Sequence, residues 1–253
     1  MTTELDPEYL SHEYRLARLR IVDLVSSVSD EDANLIVPAC PDWTVRDLLA
    51  HVCGIATEIS EGNPPSGDSQ AWVDKIVDDR RSKSVGELID EWQRSGPAFE
   101  MMAATTKRLS VPLSYDTVVH EHDLRHALGA QGARDSSGVV AAMHVGVWLM
   151  TNDLKRHGFG SVTFRAGGRD WHCGEGDQRL SLDLDAAQRY ATPVWELLRL
   201  TGSRRSLAQM KGYAWQGDSE GGIAALLHME MPASEDRKST RLNSSHSSVS
   251  RMP

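Results

Sequence analysis

The side chains best suited to chemistry stand on one predicted helix, in the segment YDTVVHEHDLRHALG, residues 115–129. At about 100° per residue, Asp116, His120 and Asp123 fall on one stripe of this helix, flanked by apolar residues. A core-facing stripe with two carboxylates and an imidazole would bury unpaired polar groups unless something binds them. A metal ion would satisfy them. The alternative is that Asp116 and His120 bond to each other beside a wet groove.

A second imidazole comes from an earlier helix. Thr44 and Asp47 have the spacing of a capping box, which predicts a helix start, and His51 stands at the edge of the apolar stripe that follows. His51 could reach a neighbouring helix, although its position alone favours a core-edge histidine bonded to a carbonyl. With Asp116 and His120 it would give two imidazoles and one carboxylate, which leave an open coordination position, as in catalytic sites. Zinc is the favoured ion, ahead of iron or manganese, although the same donors suit non-haem Fe(II).

The predicted elements around these residues form a helical bundle. Capping signals at Asp6, Thr44 and Ser84, together with the segment at 115–129, predict four long helices with short connections. Gly96-Pro97 is expected to kink or break the third of them. Four such helices indicate a four-helix bundle, a fold that builds metal sites from side chains on facing helices.

The second half of the chain changes pattern. A helix predicted over residues 136–157 is followed by segments of period two and then by two further helices. The predicted strands are residues 161–166, 169–173 and 180–185, with a turn at Gly167-Gly168 between the first two, and the later helices are residues 185–200 and 207–215. The predicted class is therefore α+β, with a helical bundle followed by a small α/β domain.

Composition excludes several classes of protein. The chain has 253 residues, 36 acidic against 27 basic, and this balance argues against a general nucleic-acid binder. Its three cysteines, Cys40, Cys53 and Cys173, do not form the framework of a disulfide-rich secreted domain and fit a reducing cytoplasm. No signal peptide and no run of about 18 apolar residues is found, so we expect a soluble cytoplasmic protein without a membrane span.

Two motifs carry a resemblance to a known family. VPACPDWTVRDLLAH (residues 37–51) and VVHEHDLRHALG (residues 118–129) resemble the mycothiol-dependent maleylpyruvate isomerase family, whose N-terminal domain is a DinB-like metal-binding four-helix bundle. The resemblance implies a zinc ion held by His51, Asp116 and His120. The family usually has Glu where this chain has Asp116, which is one methylene shorter. Asp123 matches a recurrent Asp of the motif and is expected to orient an imidazole.

The same resemblance implies the cofactor and the second domain. Mycothiol, the small thiol of actinobacteria, would enter the open position of the zinc ion and lose its proton there. Residues after the bundle resemble a sterol-carrier-like C-terminal domain. Within it, Arg204 and Arg205 could hold a substrate carboxylate, as could Arg81 in the bundle; the alternative is that these cations are solvated surface groups.

These observations predict three segments and one leading function. The segments are the bundle at 5–133, a helix with a small α/β domain at 134–232, and a serine-rich disordered tail at 233–253 that resembles translated sequencing-adapter sequence. The leading function is a zinc enzyme that uses mycothiol to isomerise or conjugate a small electrophilic acid, acting as a monomer. The alternatives are a non-catalytic metal- and ligand-binding module and a divalent-metal hydrolase, for which Asp123 is the only evident base.

Overall fold

The computed structural model describes residues 5–186 and 189–226. The predicted tail at 233–253 lies outside them. The helices within this part are α1 (Pro7–Val25), α2 (Asp30–Ala33), α3 (Val45–Ser60), α4 (Ser69–Arg80), α5 (Val85–Ala103), α6 (Lys107–Ala127), α7 (Ser137–His157), α8 (Pro193–Thr201), α9 (Leu207–Lys211) and α10 (Ser219–Leu226). The strands are β1 (Ile36–Val37), β2 (Cys40–Thr44), β3 (Ser161–Ala166), β4 (Arg169–Gly174), β5 (Gln178–Asp183) and β6 (Gln216–Gly217). The chain divides into two compact units, Met1–Met150 and Thr151–Pro253, so the boundary falls within α7.

The first unit is built on four long helices, as the capping signals predict. Helix α1 packs on α5 and α6, and α3 packs on α5 and α6. The Asp6 carboxylate accepts hydrogen bonds from two backbone N–H groups at the start of α1, and the capping boxes at Thr44 and Ser84 are both formed. With the sheet of the second unit, this confirms the predicted α+β class of a helical domain followed by a mixed domain.

Of the kink or break expected at Gly96-Pro97, the break does not occur, because α5 continues through Pro97 to Ala103. Pro97 is exposed, so the carbonyl that loses its hydrogen-bond donor can be solvated. On the opposite face, Trp92 and Phe99 are fully buried on either side of the proline and hold the helix against the core. Packing therefore outweighs the local cost of the proline.

Residues 36–44, which contain two prolines, form a short antiparallel hairpin of β1 and β2. Ile36 lies opposite Thr44, and Val37 lies opposite Cys40. Val37 is fully buried, and β1 packs on α6 while β2 packs on α3. This hairpin brings side chains of the segment to both helices that carry the candidate donors.

The second unit contains a four-stranded sheet in the order β4-β3-β5-β6. Strand β3 is antiparallel to β4 and parallel to β5, and β6 is antiparallel to β5. The turn predicted at Gly167-Gly168 is confirmed, and both residues have positive φ values of 65° and 75°. The sheet and the helices that follow it form the predicted α/β part of the fold.

The helix predicted from Asp185 is wrong at its start, because α8 begins only at Pro193. The Asp185 carboxylate instead accepts hydrogen bonds from the N–H groups of Gly167 and Gly168, and Asp183 accepts from those of Asp185 and Ala186. Aspartates that bind backbone amides in this way compete with helix formation. Among the described helices, none has the length and apolar character needed to cross a bilayer.

Candidate metal centre

Helices α3 and α6 bring three of the predicted donors together. His51 stands on α3, and Asp116 and His120 stand one turn apart on α6. The Nε2 atoms of His51 and His120 lie 3.4 and 3.3 Å from the two oxygens of the Asp116 carboxylate. One ligand atom from each of the three residues lies within 4.8 Å of those of the other two. Two imidazole nitrogens and a carboxylate therefore converge on one small volume.

A hydrogen bond fixes the orientation of the His120 ring. Its Nδ1 lies 3.0 Å from Oδ2 of Asp123, and the Asp123 side chain is completely buried. Because an ionised carboxylate only accepts hydrogen bonds, Nδ1 carries a proton and donates to Asp123. Nε2 faces Asp116, and it is the nitrogen left to bind a metal ion once the ion displaces its proton, as in a metal-binding histidine supported by a carboxylate.

Ring packing holds His51. The Trp43 ring, from β2, lies 4.9 Å from the His51 ring between centroids, and the His120 ring meets it edge-on at 5.1 Å. The buried Nδ1 atom of His51 has no hydrogen-bond partner in the described part of the chain. Thus the alternative expectation of a core-edge histidine bonded to a carbonyl is not what the structure contains.

The electrostatics of this cluster depend on the imidazoles. Burial by itself would raise the pKa of Asp116, but His120 and His51 together hold that pKa well below its usual range. Burial would lower the pKa of His120, but Asp116 and Asp123 more than offset this and raise it to about 9. In the described structure the ion pairs of Asp116 are with histidines and include no Arg or Lys. A divalent cation can replace the imidazole protons, so the donor set fits a metal ion.

Two neighbours of the centre were missed in the sequence. The sulfur of Cys40 lies within 4.8 Å of a ligand atom of His120 and of Asp123, and Trp43 packs on His51. Both belong to the β1–β2 hairpin, and no helical or strand periodicity connects that segment to either helix. The only available signal was that one short proline-containing segment carries both a thiol and a large aromatic ring directly before the His51 helix.

The arginines predicted to bind substrate lie in different surroundings. Arg204 and Arg205 are buried, so the alternative of a solvated loop pair is excluded. Arg205 donates to both oxygens of Glu196 at 2.8 and 2.7 Å, and Arg204 donates to the carbonyl of Gly202 at 2.7 Å. Arg81 is exposed and pairs with a nearby aspartate on α4. None of these observations tests a role in substrate binding.

The part of the chain that holds these residues matches a known family. Residues 14–125, which contain all the donors described above, match the family model described as the mycothiol maleylpyruvate isomerase N-terminal domain. This segment belongs to that domain family. The resemblance stated from the two sequence motifs is thereby confirmed.

Solved structures extend the likeness beyond this segment. A crystal structure of a histidine-to-alanine mutant of mycothiol-dependent maleylpyruvate isomerase superposes with a TM-score of 0.55 at 13% identity, covering 79% of this chain and 91% of that chain. A second structure, of the mycothiol-dependent maleylpyruvate isomerase, gives a TM-score of 0.50 at 14% identity with the same coverage. At such identities the likeness shows the fold alone. No curated protein matches the chain.

Proposed function

We propose that this chain is a metal-dependent enzyme that binds one divalent cation, preferably zinc, through His51, Asp116 and His120. The observation that carries the proposal is that a carboxylate and two imidazole Nε2 atoms converge within 4.8 Å without an Arg or Lys paired to the carboxylate in the described structure. An ordinary ion pair would not need two imidazoles on the same carboxylate. Three protein ligands leave one position open, as in catalytic zinc sites.

We further propose that mycothiol is the thiol that this site uses, on a small electrophilic acid. The proposal draws on the family of the N-terminal domain and on the two solved isomerases that share the fold. A bound zinc ion would supply Lewis acidity, which lowers the pKa of a thiol at neutral pH. Isomerisation and conjugation both begin with attack by that sulfur, so the same residues serve either reaction.

The protein residues have separate roles in this scheme. His51, Asp116 and His120 supply the ligand atoms, and Asp123 keeps the proton of His120 on Nδ1 so that Nε2 stays available. Trp43 covers His51 and limits the orientations of its ring. Asp123 is fully buried and already bonded to His120, which disfavours the alternative of a hydrolase with Asp123 as its base.

Arg204, Arg205 and Arg81 remain proposed contacts for the carboxylate of the substrate. A substrate would compete with Glu196 for Arg205, whereas at Arg81 it would displace only an exposed ion pair. The domain boundary at 133/134, a cytoplasmic location and a monomeric state also stay predictions.

The test begins with metal-free protein reloaded with zinc, whose content we expect to be one ion per chain. Mycothiol and maleylpyruvate, or a generic electrophile, are then added with each component omitted in turn. We expect turnover only when metal and thiol are both present, and loss of metal and turnover in His51→Ala. His12→Ala changes an exposed histidine of α1 and is the matched control. Metal binding without any thiol dependence would overturn the enzymatic proposal in favour of the non-catalytic module.

A further inference from the structure

His120 belongs to two different sets of candidate ligand atoms. On its Nε2 side are His51 and Asp116, the proposed zinc ligands. On its Nδ1 side is Asp123 at 3.0 Å, and Cys40 completes a second group whose ligand atoms all lie within 4.8 Å of one another. The centre therefore contains two donor sets that share one imidazole.

The second set is enclosed. Asp123 is completely buried, His120 is 6% exposed and Cys40 is half-buried. Clusters of acidic side chains on protein surfaces commonly occur without any ion, but this group has one buried carboxylate, one imidazole and one thiol. Ligands that include a sulfur suit soft, thiophilic ions and do not suit magnesium or calcium.

The fold holds this set in place with two elements. Asp123 and His120 are three residues apart on α6 and share one face of the helix. Cys40 is positioned by the hairpin, where it lies opposite the fully buried Val37 on the strand that packs on α6. The paired strands of the hairpin therefore fix the position of the Cys40 thiol.

We propose that Cys40, His120 and Asp123 form a second cation site that takes a thiophilic ion, and that its occupation excludes an ion at His51, Asp116 and His120. A neutral imidazole has one lone pair, so His120 can bind an ion through Nδ1 or through Nε2 but not through both. When the second site fills, Cys40 releases its proton to solvent and forms the sulfur–metal bond. Nδ1 of His120 releases its proton to solvent as it binds the ion, and Nε2 keeps its proton towards Asp116.

The consequence is a metal-selective inhibition. A thiophilic ion that is bound through Cys40 would leave His120 protonated on the side that faces Asp116, and the first donor set would lose one ligand. The exclusion depends on the proposed zinc site, whereas the existence of the Cys40 site does not.

The other two cysteines provide an internal control. Cys53 and Cys173 are both fully buried, and burial raises the pKa of each thiol to about 12. Neither belongs to a group of candidate metal ligands within the described residues. A thiolate–metal signal from the folded protein should therefore come from Cys40.

The test is a titration of the metal-free full-length chain with Cd²⁺, followed by the ultraviolet charge-transfer absorbance of cadmium thiolate. We expect one equivalent to saturate the band, which Cys40→Ser abolishes and Cys173→Ala preserves. Asp123→Asn removes a charged direct ligand of this site and should weaken Cd²⁺ binding more than about 100-fold. His51→Ala should keep the band, because His51 belongs only to the first set. Circular dichroism and thermal melting establish that each variant is folded.

Competition tests the exclusion. Zinc-loaded wild-type protein should bind Cd²⁺ only as zinc is released, with a stoichiometry that never exceeds one ion per chain. A band that survives in Cys40→Ser, or the absence of any band in the wild type, would overturn the Cys40 site. Simultaneous binding of one Zn²⁺ and one Cd²⁺ would overturn the exclusion. If the wild type binds no zinc, the proposed function fails instead, and the Cd²⁺ band still decides whether the Cys40 site exists.

Discussion

Helix α3 contributes to two charged clusters. They differ in the cationic groups that pair with their carboxylates, which are imidazoles in one and guanidinium and ammonium groups in the other. Near its middle, His51 shares Asp116 with His120 of α6. Near its end, Glu58 accepts from Arg80 at 2.9 Å. Arg80 also donates to Glu91 of α5 at 2.8 Å, and Lys83 donates to the same carboxylate. The second group, which consists of Glu58, Arg80, Lys83 and Glu91, is called the ionic cluster below.

The ionic cluster is complete without a ligand. Burial would lower the pKa of Arg80, but Glu58 and Glu91 more than offset this and raise it. Likewise, burial would raise the pKa of Glu91, but Lys83 and Arg80 lower it. Guanidinium and ammonium groups stay charged at every physiological pH and coordinate no metal. A cation can displace the protons of imidazoles. The ionic cluster therefore has the composition of a structural ion-pair network, whereas the His51, Asp116 and His120 group has that of a metal site.

The largest effect expected from this difference is a loss of stability caused by the substitution Arg80→Met. Removal of the guanidinium leaves the buried Glu91 with only Lys83 and leaves Glu58 with only the hydrogen bond from the Asn63 amide. We expect a loss of about 3 kcal/mol in the free energy of unfolding, at the low end for a broken buried pair because Glu58 is partly exposed. Denaturant unfolding of metal-free protein measures it. The matched variant Arg81→Met removes an exposed cation and should change stability by less than about 0.5 kcal/mol. Equal effects of the two variants would contradict the structural role of the ionic cluster.

The next effect concerns zinc affinity, in His51→Ala. Loss of a direct ligand should weaken zinc binding more than about 100-fold, beyond the range seen for residues that only support a ligand. Competition with a chromophoric chelator gives the dissociation constant. Arg80→Met should bind zinc as the wild type does. It is measured without denaturant, at a temperature at which the variant is folded. Comparable loss of zinc in both variants would mean that the two clusters do not differ as proposed.

A smaller loss is expected in Asp123→Asn. The amide can accept a hydrogen bond from Nδ1 of His120 but carries no charge, so zinc affinity should fall about 10- to 100-fold without loss of the ligand itself. Chelator competition under the same conditions measures this change. Zinc affinity equal to that of the wild type would show that Asp123 does not support the ligand.

The smallest effect is a pH dependence of the ionic cluster. The folded-state pKa of Glu91 is lowered from 4.5, so its stabilising contribution is present above about pH 4.5 and is lost as the pH falls through the lowered value. The groups that face it are Arg80, Lys83 and, through Arg80, Glu58. Unfolding free energies of metal-free protein between pH 3 and pH 6, roughly the interval of carboxylate titration, should show a shallower acid slope in Glu91→Gln. In contrast, Glu61→Gln changes an exposed carboxylate and should keep the wild-type slope.

The sequence by itself determined the local order of the bundle and the helical neighbours among the donors. Capping residues and apolar spacing are local properties, so the starts of α1, α3 and α5 and the turn at Gly167-Gly168 were predictable. Asp116, His120 and Asp123 could be placed on one stripe because they lie within two turns of one helix.

Only the tertiary structure decided which distant residues join them. His51 was ambiguous in the sequence, since the rotation of α3 against α6 depends on the packing of the whole core. The positions of Cys40 and Trp43 beside the donors could not be predicted, because the hairpin that brings them there has no sequence periodicity. Similarly, packing around Trp92 and Phe99 carries α5 through Pro97, and carboxylate–amide bonds delay α8. Short-range steric and hydrogen-bonding preferences are written in adjacent residues, whereas contacts between segments depend on how all the buried side chains pack at once.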